Sequence, residues 1–153
     1  NRLISGWNDA VHQQLPNPDD LMAIDADVFV FAAAPNAITE AKHNKQLLKA
    51  PIIIQGANNP LDTAAMDYYL AEGRSIVADV LGNAGGFVAS NFEYNQGMTG
   101  KVWSQKATLT VLKRVMDDAY ARVLQEADGR PVNMVDPAFR VALKRRYERE
   151  DNR

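Results

Sequence analysis

The 153-residue chain reads as an α/β protein, half of a doubly wound parallel sheet in three layers with helices added at its C-terminal end. Three observations predict this. Short apolar runs at Val28-Phe29-Val30-Phe31, at Ile52-Ile53-Ile54 and over Ser75 to Val80 have the character of strands buried on both faces. Helical stretches separate them, so the order is that of a parallel β-α-β-α-β unit, with right-handed crossovers expected. Each run ends in a loop rich in Ala, Gly and Asn.

Taken in order, Asn1 to Asp25 reads as a cut into a domain rather than a domain start, with the turn Pro16-Asn17-Pro18-Asp19-Asp20 capping a short helical piece. His12 and His43, the only histidines, have no carboxylate motif around them and read as surface or helix-end residues. The first strand stops at Ala32-Ala33-Ala34-Pro35-Asn36, and Thr39 is placed to cap a helix through about Leu48. The second strand ends in Gln55-Gly56-Ala57-Asn58-Asn59-Pro60. A helix from about Thr63 to Glu72 follows, closed by Gly73.

The third strand delivers the chain to Gly82-Asn83-Ala84-Gly85-Gly86, a tight turn and helix start with no bulky side chain near its apex. Beyond it Asn83, Phe87 and Ser90 recur at helical spacing, so an amide, a ring and a hydroxyl share one face. An amide beside a bare turn suits a carboxamide or carboxylate ligand, although glycines also serve packing alone at strand-to-helix corners. In a parallel sheet the loops at the carboxyl ends of the strands share one edge, so residues 32–36, 56–59 and 82–86 should line one crevice. Asn58 and Asn83 can each offer a donor and an acceptor there, while the Asn58-Asn59 pair taken alone reads as turn chemistry.

Ser104 can cap a long helix in which Val111, Leu112, Val115, Met116, Ala119, Tyr120, Val123 and Leu124 form an apolar stripe, the pattern of a core or interdomain contact. Asp128-Gly129-Arg130-Pro131 ends it, and Asp136-Pro137 should start a last helix in N-cap and N1 order. Lys144-Arg145-Arg146 fits a helix dipole better than nucleic acid, because Glu148, Glu150 and Asp151 follow directly. The whole reads as a single domain, with a β-α-β-α-β unit and following helix over residues 27–100 and C-terminal helices over 101–153.

Composition narrows the chemistry. A formal net charge of -2, from 17 basic and 19 acidic residues, gives no strong field for nucleic acid or anionic membrane. The absence of cysteine removes thiolate metal sites and cysteine nucleophiles, and no pair of histidines is spaced for a metal. No apolar run approaches the roughly 20 residues of a spanning helix, so a soluble, cytoplasmic protein is expected. Neither Gly-x-Gly-x-x-Gly nor a Walker lysine motif occurs, so a dinucleotide-binding sheet here supplies the nicotinamide side and lacks the pyrophosphate turn.

Three motifs in order, Asp27 to Thr39, Ile54-Gln-Gly-Ala-Asn-Asn-Pro60, and Asp79-Val-Leu-Gly-Asn-Ala-Gly-Gly86 with Ser90-Asn-Phe-Glu93, resemble the glutamate/leucine/phenylalanine/valine dehydrogenase family. The resemblance runs in register from about Asp25 to Leu124, and more loosely to about Tyr147. It implies the C-terminal half of a Rossmann-like cofactor domain, carried by a fragment or a truncated paralogue. It further implies that Ala32 and Ala33 pass the adenosine side of NAD or NADP, that Asn58 contacts the nicotinamide ribose and that Asn83 approaches the nicotinamide carboxamide. Ser90 falls where glutamate-specific members bind the substrate side-chain carboxylate. Phe87 falls where the family usually has a smaller residue, and its ring competes for that space. The family's catalytic lysines and aspartate lie outside this sequence, so no catalytic residue is assigned, and no metal ligand. The implied reaction is oxidative deamination of an L-amino acid to a 2-oxo acid, most simply glutamate, in a homo-oligomer. The isolated chain is expected to be inactive. The alternative is a non-catalytic nucleotide-binding or assembly module on the same half-fold.

Overall fold

The computed structural model describes residues 15–39, 47–130 and 132–151. Asn17 caps a 3-10 helix over Pro18–Ala23, its side chain accepting from the Asp19 N–H while Asp20 reaches back to the Asn17 N–H. Three strands follow, β1 (Val28–Phe31), β2 (Ile52–Gln55) and β3 (Ser75–Val77), in parallel and in chain order. Val28 pairs with Ile52, and Ile52 in turn with Ser75. The helices are α1 (Thr63–Ala71), α2 (Asp79–Gly82), α3 (Ala84–Thr99), α4 (Gln105–Glu126) and α5 (Val135–Asp151). His12 and His43, and the helix expected between Thr39 and Leu48, fall on or across positions outside the described residues.

One sheet face is closed. Ile53 and Ile76 stand on it side by side, with Phe31 on the same face, and they pack with Ala65 and Tyr69, one turn apart on α1, and with Met22 of the 3-10 helix. Asp62 caps α1 by accepting the Ala65 N–H at 2.8 Å, a contact typically worth about 1 kcal/mol. At the other end Gly73, at φ 76°, takes the left-handed position foreseen for it. Arg74 next to it donates to the carbonyls of Leu48 and Ala50 and lies 5.1 Å from the Tyr69 ring centre. Burial pushes the Tyr69 hydroxyl above its ordinary value, with Arg74 acting against the rise.

The opposite face is covered in part. Ala78, Leu81, Val123, Met134 and Ala138, from the end of β3 and from α2, α4 and α5, make a second core against Val77. Val28, Val30 and Ile52 lie on the same face and are exposed, Val30 by 52%. The expectation that the first two strands are buried on both faces is therefore corrected. Among the described residues β1 has β2 as its only strand neighbour, and the covering helices sit toward β3.

Three boundaries also differ from expectation. The third strand ends at Val77 rather than Val80, because Asp79 turns the chain into α2 and its own carboxylate accepts the Val80 N–H. The last helix starts at Val135, before the Asp136-Pro137 pair, because Asn133 accepts the Val135 N–H and Met134 is bonded to the Ile76 carbonyl. Lys144, Arg145 and Arg146 stand well inside α5 rather than in its last turn. Glu126 of α4 takes Lys144 at 2.6 Å and Arg140 at 3.1 Å, so this charge serves helix pairing. The long helix is capped as expected, Ser104 Oγ accepting the Ala107 N–H at 3.2 Å. Its stripe is half-buried for most of its length and fully buried at Val123.

Candidate functional site

The parallel order brings the loops after β1, β2 and β3 to one edge, and hydrogen bonds lace them together. The Ala57 N–H donates to Phe31 O, and the Asn36 N–H donates to Asn59 O at 2.9 Å. Asn36 and Asn59 both hold left-handed backbone angles, φ 52° and 46°, which asparagine tolerates better than most side chains. The turn reading thus applies to Asn59. Asn58 does something else: its Oδ1 accepts from Asn83 Nδ2 at 2.6 Å, across 25 positions of sequence. The two asparagines expected at the crevice are in direct contact.

With the carboxamides so oriented, each keeps half of its capacity. The Asn58 NH2 and the Asn83 Oδ1 have no other partner among the described residues. A donor and an acceptor side by side complement a primary amide, which presents the reverse pair. The glycines beside them divide by role. A Cβ on Gly82 would lie 2.9 Å from Gln55 O and 3.2 Å from Ile54 Cγ2, so this glycine lets α2 press against β2. Gly85 and Gly86 would meet nothing within 4 Å. The bare approach expected of this corner therefore belongs to the first turn of α3, and the packing role belongs to Gly82.

Asn83 sits at the junction of α2 and α3, where its N–H donates to Asp79 O at 2.9 Å. Phe87 and Ser90 follow at i+4 and i+7 on α3, so the three share one helix face. Ser90 is exposed, and Phe87 is 76% exposed rather than packed on a neighbouring helix. Ala32 and Ala33 are exposed at the end of β1 and line a largely apolar cavity of about 290 Å³ with Met22, Phe29 and Val30. Ala32 also abuts the second loop, since a Cβ on Gly56 would lie 3.4 Å from its methyl. The six candidate residues thus fall into a contacting pair, a helix face that continues it, and an alanine edge on the neighbouring loop.

Two further residues belong here that sequence reasoning passed over. The apolar pattern places Asp79 near the end of a strand and Gln55 at the start of a loop. Both are buried, and the Asp79 N–H donates to Gln55 Oε1 at 3.1 Å. The signal for Gln55 was its parity: two positions after Ile53 in a strand, it shares the core face. Among the described residues no group of three His, Asp or Glu side chains could hold a metal ion. The edge presents a donor and an acceptor that a flat, amide-bearing ligand complements.

Comparison with known proteins bears on the ligand. The family model for glutamate/leucine/phenylalanine/valine dehydrogenase matches residues 2–153. The chain is 33% identical over 135 residues to the NAD-specific glutamate dehydrogenase A of Halobacterium salinarum, covering 88% of this chain and 31% of that protein. It is 36% identical over 140 residues to the NADP-specific glutamate dehydrogenase of Synechocystis, covering 92% of this chain and 32% of that one. Among solved structures it resembles the hetero-hexameric glutamate dehydrogenase of Thermus thermophilus, Leu-bound form, at a TM-score of 0.67 and 28% identity, covering 86% of this chain and 32% of that one. The chain spans about a third of the length of the curated relatives it matches.

Proposed function

Because the chain belongs to the glutamate/leucine/phenylalanine/valine dehydrogenase family, we propose that it forms the nicotinamide side of the cofactor domain in an amino-acid dehydrogenase of the glutamate dehydrogenase type. The observation that carries this reading is the Asn58–Asn83 pair at 2.6 Å, on the strand-end edge and beside the open glycines of α3. The cofactor is NAD or NADP, as supported by relatives named for each. Held there, a nicotinamide cofactor would supply the acceptor for hydride from the amino-acid α-carbon.

The residues of this chain bind and orient. The Asn58 NH2 and Asn83 Oδ1 hold the ribose and carboxamide end and fix which face of the ring is presented. Gly85 and Gly86 let that end lie against backbone. Ala32 and Ala33 flank the adenosine side. Ser90, further along the Asn83 face, donates to the side-chain carboxylate of the substrate, which favours glutamate and 2-oxoglutarate, and Phe87 narrows the space beside it. The parent is a cytoplasmic homo-oligomer.

Two assays test the reading together. The purified chain, without a substrate domain or pyrophosphate turn, should show no amino-acid-dependent reduction of NAD or NADP. In the full-length parent, Asn83→Ala should lower turnover by on the order of tenfold, the effect of losing one well-placed hydrogen bond. Activity of the isolated chain would overturn the fragment reading. An unchanged rate at saturating cofactor and substrate would remove Asn83 from the site, leaving a binding or assembly module.

A further inference from the structure

Among the described residues the buried polar side chains are Gln55, 3% exposed, and Asp79, 8% exposed. They are hydrogen-bonded to each other, and Asp79 bonds to the backbone beside and at the asparagine pair. The Asp79 carboxylate has no ion-pair partner there, and both of its oxygens go to backbone: Oδ1 accepts the Val80 N–H at 2.7 Å and Oδ2 accepts the Asn59 N–H at 2.9 Å. Its carbonyl accepts the Asn83 N–H at 2.9 Å. One residue therefore grips the neighbour of Asn58 with its side chain and Asn83 itself with its main chain.

A buried acid without a cation is costly unless its oxygens are satisfied, and a hydrophobic residue would serve a simple strand-to-helix corner better. Gln55 repeats the point. Its Oε1 holds the Asp79 N–H, while its Nε2 is buried with no partner among the described residues, so the side chain is kept for its oxygen at the expense of its nitrogen. From this convergence we infer that Asp79, itself held by Gln55, is a positioning residue that sets the Asn58 and Asn83 carboxamides in register. It touches no ligand. It fixes the left-handed turn at Asn59 and the start of α3 relative to each other. Its consequence for catalysis rests on the proposed cofactor role of the pair, whereas its geometric claim is a property of this chain alone.

The test has two arms. In the 15N-labelled chain, Asp79→Ala should accelerate amide exchange at Asn59 and Val80 by on the order of tenfold or more and shift the Asn83 side-chain NH2 signals, with Ile53 and Ile76 still protected. Asp79→Asn keeps one acceptor oxygen and should release only one of the two amides, which decides the matter if the alanine variant fails to fold. Unchanged Asn59 exchange and Asn83 signals would overturn the inference. So would loss of protection at Ile53 and Ile76 in Asp79→Asn, which would make Asp79 a residue of the fold in general. In the full-length parent, Asp79→Asn should raise the KM for the nicotinamide cofactor several-fold and leave the amino-acid KM in place. If Asn58→Ala and Asn83→Ala raise the cofactor KM and Asp79→Asn does not, the positioning role falls. If neither asparagine variant changes it, the cofactor reading falls while the exchange result still judges Asp79.

Discussion

Alanine at Gly82 should weaken the chain, and alanine at Gly85 or Gly86 should strengthen it, although all three glycines stand within five positions of one another. The added Gly82 Cβ would lie 2.9 Å from the Gln55 carbonyl oxygen, a backbone atom, and 3.2 Å from Ile54 Cγ2 on the central strand. Overpacking of this kind costs roughly 1–3 kcal/mol. The gain in helix propensity from Gly to Ala is at most about 1 kcal/mol, and α2 is a single turn. The net is a loss of roughly 1–2 kcal/mol, or about 3–6 °C in Tm for a domain of this size. At Gly85 and Gly86 nothing lies within 4 Å, so alanine removes unfolded-state freedom at no steric expense and should add about 0.5–1 kcal/mol. Thermal unfolding of the three single variants, followed by circular dichroism, reads both signs. A Gly82→Ala chain as stable as the parent sequence, or a Gly85→Ala chain less stable, would refute the division of the glycines into packing and approach.

Other outcomes follow from the same geometry. Phe87→Val in the full-length enzyme should raise activity on glutamate relative to leucine, valine and phenylalanine by roughly 10- to 200-fold, the range that pocket volume commands; unchanged selectivity would take Phe87 out of the pocket. Lys144 and then Arg140 hold Glu126 below its ordinary value of 4.5, so the α4–α5 pairing has this contribution in full above that pH and loses it as pH falls through the lower folded value. Acid titration of stability should accordingly be shallower in Glu126→Gln; identical slopes below pH 4.5 would show that the contact adds nothing in solution.

Much of the scaffold was legible because its signals are local. The three apolar runs, the cap at Ser104 and the left-handed Gly73 all act within a few residues of themselves, and each appears where the pattern places it. The shared edge followed from the parallel topology, and the contact of Asn58 with Asn83 is its direct product. What escaped were features set by distant partners. An apolar run does not reveal which of its residues the helices cover, so the pattern did not tell the exposed Val28 and Val30 from the buried Phe31. Asp79 looks like punctuation until Asn59 and Gln55 arrive from another strand to bind it. The early start of α5 likewise depends on Ile76, which lies far back in the sequence.

The sequential order of the sheet bears on how the chain acquires its shape. Val28 meets Ile52 after 24 residues, and Ile52 meets Ser75 after 23 more, so each strand pairs with the one made just before it. Closing such short loops carries a modest entropic penalty, and doubling their length would add only about 0.6 kcal/mol each. The sheet can therefore grow strand by strand as the polypeptide leaves the ribosome, with no strand waiting for a distant mate. The exception is the bridge between Ile76 and Asn133, which spans 57 residues and encloses α3 and α4. The second core draws on residues made after the loop edge that carries Asn58 and Asn83, so its closure must await synthesis of the C-terminal helices.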